Sequence, residues 1–144
     1  MARMRRGWAE EPPLAPHIWR TLGYYGVEQG DGRSVIEWQA TVEFCFHAPS
    51  GPIVHGGMVT TLLDTAMGGA CWSVLGEHES FLTAELRTEF MRSARPGRLR
   101  AEGRVVQRNR RVAFCAADLY AEDGELLASS RCTQIIRSDE RKEP

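Results

Sequence analysis

A chain of 144 residues with 42% hydrophobic content has room for one compact domain around a single core, so residues 1–144 read as one unit. Eighteen basic against nineteen acidic side chains leave a net charge of -1, which argues against a general nucleic-acid binder. Four cysteines without a C-x-x-C pair, and four histidines that do not cluster with them, predict reduced core thiols and no metal site.

The opening MARMRRGW is basic but runs into EEPPLAP rather than an apolar stretch, so residues 1–17 read as a loose tail and not as a secretory signal. No segment approaches the ~20 apolar residues of a membrane span. Together with unpaired cysteines this predicts a cytoplasmic protein with no membrane partner. Ile18 to Tyr25, carrying Trp19, Leu22, Tyr24 and Tyr25, predicts a short helix leading into a first strand. Val27 to Gln29, the turn GDG at 30–32 and the run Ser34 to Phe46 read as strand, turn and strand.

From Val54 to Leu75 the apolar residues fall in adjacent pairs every four positions: Met58 and Val59, Leu62 and Leu63, Ala66 and Met67, Ala70 and Cys71, Val74 and Leu75. That spacing predicts a helix. A repeat of four drifts by about 40° per pair against a turn of about 3.6 residues, so the apolar stripe winds round the cylinder and the helix is buried on several sides. Gly68 and Gly69 mark where another backbone or another copy comes close. Asp64 stands out, because its helical neighbours Thr60, Thr61, Met67 and Gly68 include no cation, and an unpartnered buried carboxylate is costly. Gly56 and Gly57 open the helix, where unpaired N–H groups and the dipole favour an oxyanion. Along one helix Gly57 and Asp64 are roughly 10 Å apart, too far to serve one carbonyl. Two antiparallel copies across a twofold axis would bring the amides of one to the carboxylate of the other, so the chemistry suggests a homodimer.

Gly76 reads as the helix stop. Phe81 to Arg92 follows as a strand, ARPG at 94–97 turns, Leu99 to Arg108 returns, and Val112 to Ala121 pairs with it. Asp123 and Gly124 predict a hairpin into a last strand at Glu125 to Arg137, and the charged end at 138–144 frays. Consecutive antiparallel strands around one buried helix predict an α+β layout.

The stretch HGGMVTTLLDTAMGG, extended by TAELRTEFMRSARPG and AEGRVVQRNRRVAFCAADLYAEDGELLAS, resembles the hotdog-fold thioesterases of the phenylacetate-degradation type. The resemblance implies a hotdog fold, an antiparallel sheet wrapped round one long central helix. It implies hydrolysis of acyl-CoA thioesters, coenzyme A entering as part of the substrate with no further cofactor, and a homodimer assembled into a dimer of dimers. Asp64, nine residues after His55, takes the place of the family's acidic residue, as general base or as nucleophile. Gly56 then supplies the oxyanion N–H, with Gly57 beside it. Thr83 orients the attacking water, and His55 holds the turn or meets the carbonyl. Arg110, with Arg108, lies where such proteins bind the phosphates of coenzyme A. Glu85 is read as structural, and Asn109 stands in place of a glycine, as a residue that tolerates a left-handed turn.

One departure stands out. The family's Asn or Gln six residues before the His is Pro49 here, so a side-chain donor to the carbonyl is missing, and His47 or Ser50 from the same loop are candidates to replace it. HAPSGPIVHGG also resembles the loop of hotdog dehydratases, whose catalytic His lies near His47. Their carboxylate would fall at Thr61, which leaves that reading, and a non-catalytic acyl-CoA binder, as the alternatives.

Overall fold

The chain, described by a computed structural model over residues 16–139, starts with helix α1 at His17–Leu22, which Gly23 ends in a left-handed conformation (φ 83°). Strands β1, Tyr24–Gly30, and β2, Arg33–Ala40, form the hairpin expected across Asp31 and Gly32. Of the ends read as loose tails, residues 1–15 and 140–144 lie outside the described part. His17 instead opens α1, and Ser138 closes the last strand.

The strand expected from Ser34 to Phe46 stops at Ala40. A 3-10 turn at Val42–Phe44 breaks it, and β3, Cys45–Ala48, pairs with β4, Gly51–Val54, in a small separate hairpin. The two prolines made this stretch read as loop. Proline lacks an N–H for a central ladder but is tolerated at the edge of a two-stranded one, where Pro52 faces His47.

Helix α2 occupies Gly56–Trp72, shorter at both ends than Val54 to Leu75. Val54 belongs to β4, and His55 is the N-cap. At the far end the Ser73 hydroxyl donates to the Ala70 carbonyl (2.7 Å) and accepts from the Gly32 N–H (2.8 Å), so the helix stops before Gly76. The remaining strands are β5, Glu79–Phe90, β6, Gly97–Arg108, β7, Val112–Ala121, and β8, Leu126–Ser138. The sheet order is β1-β2-β6-β7-β8-β5, all antiparallel. β5 therefore pairs with β8 and not with β6, and ARPG opens a crossover instead of a hairpin. Ala94 anchors that crossover, buried and accepting the Val54 N–H at 2.8 Å.

Helix α2 touches all six strands, so the sheet wraps round it as in a hotdog fold. Its apolar pairs enter the core with Ile36, Trp38, Leu99 and Leu119. The closest backbone approach is not at Gly68, whose open side meets the Phe81 ring, but at Gly103 of β6. A side chain there would overlap the Ala66 carbonyl and come within 2.9 Å of the Met67 N, so this glycine sets how deep the helix sits. Among the described residues no helix is long and apolar enough to cross a membrane.

The helix backbone cannot yield to a methyl at this position without shifting along its length. Gly103→Ala should lower unfolding free energy by about 2–3 kcal/mol, the upper range for overpacking. Urea denaturation would read it, and an unchanged midpoint would show the contact to be slack.

Candidate active site

The polar and small residues between the apolar pairs of α2 form a second stripe. Gly56, Thr60, Asp64 and Gly68 recur every four residues, and the stripe runs antiparallel along β5. Gly56 meets Phe90, the Thr60 hydroxyl donates to Thr88 Oγ1 (3.2 Å), Asp64 meets Thr83, and Gly68 meets Phe81. Among the described residues β5 is a sheet edge, paired only with β8.

Asp64 is half buried, and among the described residues no cation pairs with it. The Thr83 Oγ1 lies 3.2 Å from Asp64 Oδ1 and 2.9 Å from Gln134 Oε1. Asp64 Oδ2 has no hydrogen-bond partner among the described residues. Burial raises the Asp64 pKa above the ordinary carboxylate value, and the Thr83 hydrogen bond opposes that rise. Tyr24, a buried phenol whose Oη has no partner, is pushed upward by burial first and then by the charge of Asp64. Gln134, fully buried on β8, escaped the sequence reading. The alternation Cys132, Gln134, Ile136 holds the signal, but only once the inward face of that strand is known.

At the other end of the stripe, His55 Nδ1 accepts the Gly57 N–H at 2.9 Å, and the His55 carbonyl accepts from Met58 (2.9 Å) and Val59 (3.2 Å). The Nδ1 atom is thus an acceptor, and the ring proton sits on Nε2. Gly57, expected beside the substrate, has its N–H committed to this cap. The Gly56 N–H is the first of the helix and has no partner among the described residues. Gly56 itself lines a mostly apolar cavity of about 270 Å³ with Phe46, Ile53, Phe90 and Leu127, among others, and Arg92 and Ser93 are its polar members.

The β3–β4 hairpin roofs this cavity with Phe46 and Ile53, which are paired in register. Strand alternation turns the next pair, His47 and Pro52, to the opposite face. The Ser50 hydroxyl accepts from Arg95 Nη2 (2.9 Å), and Arg95 Nη1 donates to the carbonyls of Ser50 and Pro52, both at 3.2 Å. Neither candidate for the donor missing at Pro49 points at Gly56 in this arrangement.

Arg108, expected with coenzyme A, is a clamp. Its guanidinium donates to both Glu79 carboxylate oxygens (2.8 and 2.7 Å) and to the Val74 carbonyl, tying β6 to the connection between α2 and β5. Arg110 is exposed at the β6–β7 turn. Asn109 there is not left-handed. Its Oδ1 accepts from the N–H groups of Arg111 and Val112, both at 3.0 Å. Glu85 is exposed on β5 and accepts from Thr133 at 3.4 Å.

The sequence profile described as the thioesterase superfamily matches residues 51–128. The medium/long-chain acyl-CoA thioesterase YigI is similar over 97 residues, with 29% identity in Salmonella typhimurium and 28% in Escherichia coli K12. Those matches cover 58% of this chain and 63% of the length of the relatives. Among solved structures, a thioesterase family protein from Silicibacter pomeroyi superposes with a TM-score of 0.77 at 27% identity, over 85% of this chain and 90% of that one. A candidate thioesterase related to phenylacetic acid degradation, from Ralstonia eutropha JMP134, does so with 0.75 at 30% identity, over 90% and 94%.

A carboxyl whose folded pKa lies above its unfolded one binds more protons when folded. Its contribution to stability is complete below the unfolded pKa and is lost as pH rises through the folded value. Asp64→Asn removes the charge and should raise the melting temperature at neutral pH, with the gain shrinking as pH falls below the carboxylate range. Thermal melts across pH test this, and a gain that grows in acid would reverse the assignment.

Proposed function

The chain belongs to the thioesterase superfamily, and on that premise we propose that it hydrolyses acyl-CoA thioesters to a carboxylic acid and coenzyme A, with Asp64 as general base. One pairing supports the reading: a carboxylate with no cation among the described residues, on the same helix as an unclaimed N-terminal N–H whose residue, Gly56, lines a mostly apolar cavity. Thr83 holds Asp64 Oδ1, which leaves Oδ2 to accept a proton from water as the water oxygen bonds to the thioester carbonyl carbon. The carbonyl becomes an oxyanion at the Gly56 N–H, where the helix dipole is positive. Its collapse breaks the carbon–sulfur bond and releases coenzyme A as the thiol. The reaction draws on no cofactor beyond the coenzyme A of the substrate, and exposed Arg110 is available to its phosphates.

Gly56 and Asp64 are two helical turns apart, so one thioester reaches both only across two copies. β5 supports that assembly. Its outer edge has no partner strand among the described residues and carries exposed Leu82, Leu86 and Phe90. Antiparallel pairing of two β5 edges about a twofold axis midway between Thr83 and Phe90, at Leu86 and Arg87, lays the two α2 helices side by side. Gly56 of a second copy then faces Asp64. The same axis passes Thr60, midway between Gly56 and Asp64, and Thr60 already touches Thr88 close to that point of the strand. Helix and strand thus agree on one axis.

The cavity beside Gly56 favours an unbranched medium-chain or single-ring acyl group, since most of its lining is apolar, with Arg92 and Ser93 as its polar members. The dehydratase alternative would need His47 at the carbonyl, and the hairpin register turns it away.

Three measurements test this. Asp64→Ala should reduce thiol release by ~10²–10⁴ with ligand binding intact, as for a lost general base; activity within a few fold would sink the assignment. Gly56→Pro removes the N–H at a position where proline suits a helix, at the cost of a ring pressed against Phe90. Mixed in equal amounts with Asp64→Ala chains, it should give about one quarter of wild-type activity, because only mixed dimers hold an intact site, one each. No recovery despite proven subunit exchange would place both groups within one chain. In an acyl series from butanoyl to dodecanoyl, kcat/KM should climb up to about fourfold per methylene until the cavity is full. A flat series would mean that the acyl group lies elsewhere.

A further inference from the structure

Gln134 has no exposed surface, yet its amide touches only two polar side chains, Thr83 (2.9 Å) and Cys132 (Nε2 to Sγ, 3.2 Å). Thr83 in turn lies against both Gln134 and Asp64. A hydroxyl has one hydrogen, so Thr83 cannot donate to Gln134 Oε1 and to Asp64 Oδ1 at once.

Two complete arrangements exist, and they differ in direction. With Asp64 protonated and its carboxyl turned so that the acquired proton faces Thr83 instead of lying unpaired on Oδ2, its O–H donates to Thr83 Oγ1, the Thr83 O–H donates to Gln134 Oε1, and Gln134 Nε2 donates to Cys132 Sγ. With Asp64 ionised, every bond reverses: the Cys132 S–H donates to Gln134 Oε1, Gln134 Nε2 donates to Thr83 Oγ1, and the Thr83 O–H donates to the carboxylate. The second arrangement needs only a half-turn of the Gln134 amide, which exchanges its oxygen and nitrogen positions, and rotation of the hydroxyl and thiol hydrogens. No covalent bond changes, and the one proton exchanged is that of Asp64. Cys115, directly opposite Cys132 in the β7–β8 register, extends the chain toward Cys71.

We propose that Gln134 is a positioning residue whose buried amide turns over with the protonation of Asp64, so that Thr83 donates to the carboxylate when it is ionised and accepts from it when it is protonated. The inference rests on the reading of Asp64 as general base, since a base must hold both states in one turnover. A buried group with fixed polarity, such as an N–H, would satisfy only one of them and would leave the other with an unpaired partner. A primary amide carries a donor and an acceptor and satisfies both. Tyr24 is the titratable group whose interaction with Asp64 is felt, and it is a phenol that stays neutral through the carboxylate range. Thr83 and Gln134, from β5 and β8, are uncharged.

The test is a pH series on the full chain by NMR, with the Gln side-chain amide and the Asp carboxyl labelled. The Gln134 Nε2–H resonances should move with the same midpoint as the Asp64 carboxyl, and Thr83→Val should abolish their response while Asp64 still titrates. Gln134 resonances that stay put through the Asp64 titration would overturn the inference, as would an undiminished response in Thr83→Val, which would make it a through-space field. In kinetics, Gln134→Leu should lower kcat by about tenfold or more with KM little changed, the pattern of a loss felt in the transition state. A merely structural role would move stability and leave the amide and carboxyl titrations uncoupled. The base assignment is judged separately: turnover retained in Asp64→Asn sinks that reading and leaves a coupled titration standing, whereas an inactive Asp64→Asn with uncoupled titrations sinks this inference alone.

Discussion

Asp64 carries a carboxylate that no cation among the described residues neutralises, and the surrounding structure is arranged to tolerate it. The carboxylate sits on the seam between α2 and the edge strand β5, where one hydroxyl reaches it and the opposite side is open. A position one step round the helix would have placed it among Leu62, Leu63 and Met67, at a desolvation cost that no hydroxyl offsets. The four-residue repeat of α2 therefore has two products. Its apolar pairs bury the helix on several sides, and the residues between them, Gly56, Thr60, Asp64 and Gly68, make a line of small and polar groups along the unpaired edge. Gly103 fixes the depth of that line by admitting the helix backbone against β6.

Much of this was legible in the chain. The helix, the β7 boundaries and the Asp123–Gly124 hairpin follow from local periodicity and turn chemistry, which act within a few residues. What escaped reading depends on partners far apart in sequence. Local pattern presented β5 and β6 as a hairpin, yet β5 crosses to β8, a choice made by the packing of both against α2. Arg108 read as a surface cation near a turn, because nothing local reveals that Glu79 and the Val74 carbonyl come to meet it. The β3–β4 hairpin was hidden by Pro49 and Pro52, whose usual meaning is loop, and it is held by Arg95, which lies 43 and 45 residues away from its partners.

The site itself was half legible. Asp64, Gly56 and His55 announce themselves through residue type and position at a helix start, and the structure separates the two glycines by their bonds. Gly57 is consumed by the His55 cap, which leaves Gly56 as the free donor. Thr83 is singled out by the resemblance alone, because nothing local distinguishes it from an ordinary strand threonine, and its hydroxyl lies against Asp64. Gln134 was unreadable, because a polar residue in an alternating strand is assigned to the wet face unless the register is known. The β7–β8 pairing sets Gln134 opposite Ala113, and both are buried.

The arrangement of donors has a consequence for how activity depends on assembly. A hotdog site with a side-chain amide at position 49 would polarise the thioester carbonyl from its own loop, but here that position is Pro49, the Ser50 hydroxyl is held at Arg95, and His47 faces away from the cavity. On the proposed chemistry, polarisation rests on the Gly56 backbone N–H, which among substitutions only proline removes and which a shift of the helix N-terminus would misplace. Under the twofold arrangement that N–H comes from the second copy, so carboxylate and donor are aligned by the same edge contact. A single chain would hold a base with no polarised carbonyl to attack and an oxyanion donor with no base. The proposed chemistry would thereby be linked to dimer formation through β5, the strand whose edge, unpaired among the described residues, carries Leu82, Leu86 and Phe90.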